Sequence, residues 1–196
     1  MNDTQQAEII LGNLVRAINL LQDCPEFTAL IPEVRVNLSC TLPGAKTPDK
    51  VAAVDGRITA VRGYPHASGL PQWGASDHMA RLIIEVRRYD NTLNAGINFK
   101  CNTAIIEIVQ KYGAEKGITF GGIDRTEEPE EVSGPDRSSM PWKIKQLVTK
   151  YNGIPRLFYE GEGWGKEPLF VALGSDAVEV AGIAADIAQR YRPRPG

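Results

Sequence analysis

Two side chains near the middle of the chain, Arg57 and His78, could together bind an anionic ligand. Arg57 follows the dipeptide Asp55-Gly56, which is typical of a type I′ turn, so it would lie at the mouth of a strand. A guanidinium group is a rigid fork of N–H donors that fits the oxygens of a pyrophosphate. The alternative interpretation of Arg57 is an ordinary surface arginine at the end of a hairpin.

His78 lies in the first turn of a predicted helix, for which Ser76 is a suitable N-cap. The apolar residues that follow have the spacing of one helical face: Met79, Leu82, Ile83 and Val86. Free backbone N–H groups and the positive end of the helix dipole favour a phosphate in such a turn, and they also favour a neutral imidazole. His78 could then be a base or a hydrogen-bond donor, or it could be a structural histidine.

Three further stretches carry polar residues that could extend this site. One is the second face of a predicted strand at 95–101, one is a charged loop from 124 onwards, and one is a glycine-rich loop at 161–166. The candidates in these stretches are Asn98, Lys100, Asp124, Arg125, Glu128, Gly163, Gly165 and Lys166. Carboxylates in the charged loop would suit a Mg²⁺–pyrophosphate site, although solvated surface is an equal alternative. The glycine-rich loop lacks the Walker A spacing, but its backbone N–H groups could hold a smaller phosphate.

Strands and helices alternate along the chain, which favours one α/β domain over residues 1–196 with helices on both faces of a sheet. Helices are predicted to begin at Asp3, after Ser76, at Asn102 or Thr103 (ending at Gly113), at Ser139 and at Asp176. Strands are predicted at 34–40 (half-buried), 50–54, 57–63, 95–101, 117–123, 155–160 and 169–173. The strands at 50–54 and 57–63 would pair as a hairpin, and 64–75, which contains His66, would be an irregular loop.

The composition is that of an ordinary globular protein, with 42% apolar residues, 23% charged residues and a net charge of −2. The near-neutral charge gives no basic field for nucleic acid, and no apolar run reaches the ~18 residues of a membrane span. The N-terminus lacks the pattern of a secretory signal, and the three widely spaced cysteines indicate neither a disulfide framework nor a zinc site. We therefore expect a cytoplasmic protein that binds neither nucleic acid nor membrane.

Four segments of the chain resemble the ThiN family, a thiamine-phosphate synthase domain that is often fused to a hydroxymethylpyrimidine phosphate kinase. They are NLSCTLPGAKTPDKVAAVDGRI, GASDHMAR, DRTEEPEEV and GWGKEPLF. These motifs occur in the order of the family, and the resemblance covers nearly the whole chain. It implies a three-layer α/β/α sandwich with a mixed, mostly antiparallel sheet, like the class II aldolase fold.

The resemblance also implies an activity: hydroxymethylpyrimidine diphosphate is joined to hydroxyethylthiazole phosphate, and pyrophosphate is released. Arg57 and His78 match the two family positions that are tied to synthase activity, and the family's GxGKEP motif includes Gly163, Gly165 and Lys166. We assign Arg57 to the leaving diphosphate, His78 to the diphosphate or to proton balance at the pyrimidine, and Ser76 with Lys166 to the second phosphate. Mg²⁺ is expected from the chemistry, although no ligand motif for it is recognisable.

One rival function stays open, a non-enzymatic module that binds thiamine phosphate as a regulator. The presence of both Arg57 and His78 favours the enzyme, and the ~30 residues before the first strand are too few for a helix-turn-helix module. An aldolase would need a histidine-rich metal site, which two histidines cannot supply. We expect a domain without the kinase, supplied with diphosphate by another protein, and a homodimer is plausible.

Overall fold

The computed structural model describes residues 3–125, 136–161 and 167–191. In these ranges the helices are α1 (Asp3–Gln22), α2 (Asp77–Val86), α3 (Thr103–Lys116), α4 (Asp136–Tyr151) and α5 (Ala177–Arg190), with short 3₁₀ helices at Pro25–Leu30 and Pro48–Lys50. The strands are β1 (Leu38–Thr41), β2 (Val51–Val54), β3 (Ile58–Val61), β4 (Tyr64–Ala67), β5 (Pro71–Trp73), β6 (Ala95–Lys100), β7 (Phe120–Ile123), β8 (Leu157–Glu160) and β9 (Leu169–Gly174). None of the helices within these ranges is long and apolar enough to cross a membrane.

Seven of the described strands form one mixed sheet in the order β5-β2-β1-β6-β9-β8-β7. The neighbouring strands are antiparallel except for β7 and β8, which are parallel. The central strand β6 pairs with β1 at Ile97↔Leu38 and with β9 at Asn98↔Val171. The predicted α/β fold with a mixed sheet is therefore confirmed, while the finer likeness to class II aldolases stays a prediction.

Helices pack on both faces of this sheet, and each face has its own apolar core. On one face α1, α3 and α5 surround residues such as Leu14, Phe99 and Ile187. On the other face α2 and α4 pack around Ile83 and Phe158.

Covered on both sides, β1 is not the half-buried strand that its sequence predicted. Its polar residues Ser39 and Thr41 are as buried as Leu38 and Cys40, because α2 packs on the face that alternation had assigned to water. Alternation of polar and apolar residues predicts that one face of a strand is exposed, but a helix that packs on that face buries its polar residues as well.

The predicted hairpin between 50–54 and 57–63 is wrong. β2 pairs with β1 and β5 in the large sheet, whereas β3 pairs with β4 in a separate two-stranded sheet. The turn of the real hairpin is Arg62-Gly63, whose φ angles of 52° and 82° are both positive, as a type I′ turn requires. In the Asp55-Gly56 turn only Gly56 has a positive φ, 67°, which is typical of a type II turn.

The stretch 64–75 is not irregular, since it contains β4 and β5. Its prolines suggested a loop, but Pro71 opens an edge strand and Pro65 lies in a two-stranded sheet, where a missing N–H is tolerated. β2 consists of four buried residues, which suits the interior of the large sheet, while β3 is largely exposed. Burial, rather than turn chemistry, decides which strands pair.

Two predicted helix boundaries also move. α3 continues past Gly113 to Lys116 and ends at Gly117, whose φ is 66°. Gly113 is needed inside the helix, because a Cβ there would lie 2.9 Å from the carbonyl oxygen of Ile118. α4 begins at Asp136 rather than Ser139 and continues through Pro141, which forfeits one backbone hydrogen bond without ending the helix.

We predict that Gly56→Ala costs more stability than Gly63→Ala. Both glycines have positive φ, so an alanine costs about 1–2 kcal/mol at either position. At Gly56 the added Cβ would also lie 2.9 Å from the Cβ of Ser68, whereas at Gly63 it meets nothing within 4 Å. Urea unfolding of both variants should show the difference, and equal losses would mean that the turn before Arg57 is not held against Ser68.

Candidate active site

One end of the large sheet carries a cavity of about 250 Å³. β1 and β9 begin at this end, whereas β6, β7 and β8 end there. The turn after β2, the first turn of α2 and the N-terminal half of α4 complete the wall. The polar side chains that line the cavity are Asn37, Arg57, His78, Asn98, Arg125, Lys143, Glu160 and Glu167.

Arg57 reaches the cavity from the turn that follows β2. Its backbone N–H donates to the carbonyl of Val54 at 3.2 Å, and its guanidinium Nη1 donates to the carbonyl of Val34. Its φ of 69° is in the left-handed region, which is unfavourable for a residue with a side chain. The turn and the bond to Val34 together fix an exposed arginine at the rim.

His78 is half-buried in the first turn of α2, as predicted. The predicted N-cap is confirmed, since the Ser76 hydroxyl accepts from the backbone N–H of Met79 at 3.3 Å. Ser76 is buried and also accepts from Asn37 Nδ2 at 2.6 Å. Ser76 does not line the cavity but fixes the turn that brings His78 to it.

Two buried amides, Asn37 and Asn98, join the neighbouring elements beneath the cavity. Asn98 Oδ1 accepts from the backbone N–H of Asn37 at 2.6 Å, and Asn98 Nδ2 donates to the carbonyl of Arg35 at 3.2 Å. Both amides line the cavity, and the role of Asn98 in binding stays a prediction. These bonds tie the start of β1 to β6, and through Ser76 to α2.

A buried ionic cluster forms the wall opposite Arg57. Lys143 Nζ donates to Glu160 Oε2 at 2.6 Å, and Arg125 Nη1 lies 3.7 Å from the same oxygen. Burial raises the pKa of the Glu160 carboxyl, but the charge and hydrogen bond of Lys143, then His78 and Arg125, outweigh it and hold the pKa below its ordinary value. Glu160 is therefore an anion at neutral pH, held among cations.

Glu167 ties the start of β9 to the segment before β1. Its carboxylate oxygens accept from the backbone N–H groups of Glu33 and Val34 at 3.2 and 3.3 Å. A second cavity, of about 350 Å³, adjoins the first and shares Val34 and Arg57 with it. Arg57 therefore lines both cavities.

Of the predicted site residues, four line the cavity: Arg57, His78, Asn98 and Arg125. Lys100 is half-buried at the end of β6 and Asp124 is exposed beside Arg125, and neither lies in the cavity wall. Ser76, which caps α2, also lies outside the wall. The other four predictions fall outside the described residues: Glu128, Gly163, Gly165 and Lys166.

Sequence reasoning missed Lys143, Glu160, Glu167 and Asn37 as lining residues. One signal was available, because Met140, Ile144 and Leu147 mark a buried face of α4 and Lys143 shares that face. A lysine on an apolar stripe is unusual enough to indicate a special environment. Glu160 and Glu167 gave no comparable signal, since each ends or precedes a strand where a charge is common.

The described residues do not fit a Mg²⁺ site made by the protein. Among residues 3–125, 136–161 and 167–191, no three His, Cys, Asp or Glu side chains lie together as metal ligands would. Of the cavity carboxylates, Glu160 binds Lys143 and Glu167 binds two backbone N–H groups. The expected ion stays a prediction.

Fold and cavity define a class of protein: an α/β domain with a small-molecule-sized cavity whose described wall carries three cationic side chains and two carboxylates. The chain matches the family model described as thiamine-phosphate synthase ThiN over residues 13–186. It is 35% identical to the thiamine-phosphate synthase ThiN of Methanothermobacter thermautotrophicus over 186 residues, which are 95% of this chain and 96% of that protein. The chain belongs to the ThiN family, an enzyme family of thiamine biosynthesis, and the resemblance is confirmed.

Two further comparisons agree. The chain is 36% identical to the bifunctional thiamine biosynthesis protein ThiDN of Methanocaldococcus jannaschii over 174 residues, 88% of this chain and 39% of that longer protein. The crystal structure of a C-terminal domain of phosphomethylpyrimidine kinase superposes with a TM-score of 0.87 at 30% identity, covering 92% of this chain and 99% of that one.

We predict that Glu160→Gln destabilises the protein at neutral pH but much less in acid. Removing one partner of a buried ion pair costs about 3 kcal/mol. Because the folded pKa of Glu160 is lowered, its contribution is present above the unfolded pKa of about 4.3 and is lost as the pH falls through the folded value. The free energy of unfolding in urea, measured from neutral to acid pH, should therefore converge for the two proteins.

The control is Glu107→Gln, an exposed glutamate of α3, which should change stability by less than about 0.5 kcal/mol. A constant difference between wild type and Glu160→Gln at every pH would show that the Glu160 carboxylate contributes no charge-dependent stability.

Proposed function

We propose that this protein is a thiamine-phosphate synthase, which joins hydroxymethylpyrimidine diphosphate to hydroxyethylthiazole phosphate and releases pyrophosphate. One observation carries the proposal. Arg57 and His78, from a turn and a helix start 21 residues apart in the chain, line the same cavity. Family membership supports the same reaction.

The chemistry needs cationic donors rather than a strong base. The thiazole nitrogen attacks the methylene carbon of the pyrimidine with its lone pair, so a C–N bond forms. The bond from that carbon to the diphosphate oxygen breaks, and its electron pair leaves with pyrophosphate. Negative charge grows on the leaving oxygens, where donors fixed in advance give the largest stabilisation.

The cavity supplies such donors together with an apolar wall. Arg57 is held at the rim by its bond to Val34, and we assign it to the leaving diphosphate. His78 approaches from the start of α2 and is assigned to the diphosphate or to proton balance at the pyrimidine. Met79, Leu169 and Val171 form an apolar part of the wall that suits the face of an aromatic ring.

The other expectations remain proposals. They are a requirement for Mg²⁺, for which no described residue is assigned, a cytoplasmic location and a homodimer. Binding of the second phosphate by Ser76 and Lys166 is also proposed, with Ser76 acting through the turn it caps.

We predict that Arg57→Gln and His78→Ala each lower synthase turnover by about 100-fold, because each loses a donor or acid–base group in the transition state. The assay uses purified protein, both substrates and Mg²⁺, and measures thiamine phosphate. The matched controls are Arg62→Gln and His66→Ala, which remove an exposed arginine with positive φ and an exposed histidine outside the cavity wall. Both controls should stay within about twofold of wild type.

Losses in the controls as large as those in the cavity variants would contradict this assignment. A wild-type protein that binds thiamine phosphate but makes none would instead support the regulatory module and overturn the enzyme.

A further inference from the structure

A lysine occupies a position of α4 that the fold would fill better with an apolar residue. Lys143 lies on the face that also carries Met140, Ile144 and Leu147, and it is only 1% exposed. Burying an ion pair costs desolvation that its attraction barely recovers, and apolar replacement of such pairs is often stabilising. Stability alone therefore gives little reason for a charge at this position.

The location of Lys143 in the cavity wall gives a reason for its charge. Lys143 lines the cavity whose wall also contains Arg57 and His78. Glu160 accepts one of its hydrogens at 2.6 Å and so fixes where the ammonium lies. An ammonium has three N–H donors, and it forms strong charge-assisted hydrogen bonds with phosphate oxygens.

The charges of the described wall favour the same conclusion. Three side chains are cationic, Arg57, Arg125 and Lys143, and two are carboxylates, Glu160 and Glu167. Glu167 is directed to the backbone N–H groups of Glu33 and Val34, while Glu160 accepts from Lys143 and lies 3.7 Å from Arg125. Cationic side chains outnumber carboxylates among the described residues of the wall, which favours an anionic ligand.

We propose that Lys143 is a further catalytic residue, whose ammonium binds the departing diphosphate from the side of the cavity opposite Arg57. This rests on the proposed function. Glu160 holds the ammonium before the substrate arrives, so that the donor needs no reorganisation as negative charge develops.

The test measures binding and turnover separately. Inorganic pyrophosphate is titrated into the full chain in a calorimeter, and synthase turnover is measured in parallel. The variants are Lys143→Met and the double variant Lys143→Met/Glu160→Gln, which leaves no buried carboxylate without its partner. The control is Lys145→Met, an exposed lysine on the same helix.

We expect Lys143→Met and the double variant to weaken pyrophosphate binding by about 10- to 100-fold, as loss of a charged hydrogen bond predicts. Synthase turnover of the same two variants should also fall, mainly through kcat. Both pyrophosphate affinity and turnover of Lys145→Met should stay near the wild-type values. Melting curves establish that each variant is folded. Melting temperature alone would shift for a structural pair as well, but pyrophosphate affinity would not.

A folded double variant with wild-type affinity for pyrophosphate would overturn the proposal and leave Lys143–Glu160 as a structural pair. This outcome is separate from failure of the proposed function, in which the wild type itself makes no thiamine phosphate. In that case the calorimetric result still decides whether Lys143 binds the anion.

Discussion

The hydrogen bonds of two buried amides hold the site together. Asn98 on β6 binds the backbone of Asn37 and of Arg35, and Asn37 binds the hydroxyl that caps α2. A buried donor or acceptor left unpaired costs about 1–3 kcal/mol, so losing one partner of this network penalises the groups that it leaves behind. It fixes three elements relative to one another, and the position of His78 follows from them.

Much of the fold could be predicted where the determining contacts are local. The structure contains the predicted N-caps at Ser76 and Asp176. It also contains the apolar faces of α1, α2 and α5, which spacings of three and four residues predict. Strand pairing was harder to predict, because burial within the large sheet determines that β2 pairs with β5 and not with β3. The Asp55-Gly56 dipeptide carried no information about that choice.

The site residues also divide into those that the sequence predicted and those that it did not. Arg57 and His78 were found through family motifs, and the structure places them in one cavity. Lys143 and Glu160 lie 17 residues apart on the consecutive elements α4 and β8, and their meeting depends on how α4 packs against the sheet. The apolar stripe of α4 marks Lys143 as unusual, but no local pattern identifies Glu160 as its partner. Two of the four described non-glycine residues with left-handed backbone, Arg35 and Arg57, lie at this end of the molecule, and so does the buried charge of Lys143. Such costs are typical of functional sites, where stability is given up for chemistry.

The residues of the cavity wall are spread along the chain from Val34 before β1 to Val171 in β9. No fragment that lacks either end of this span could assemble it, so affinity for a ligand belongs to the complete domain and not to any separable piece. A bound molecule is therefore linked to global unfolding, and it adds RT ln(1 + [L]/Kd) to the stability of the whole domain. In a cell, a supply of ligand would then raise the folded fraction of the protein.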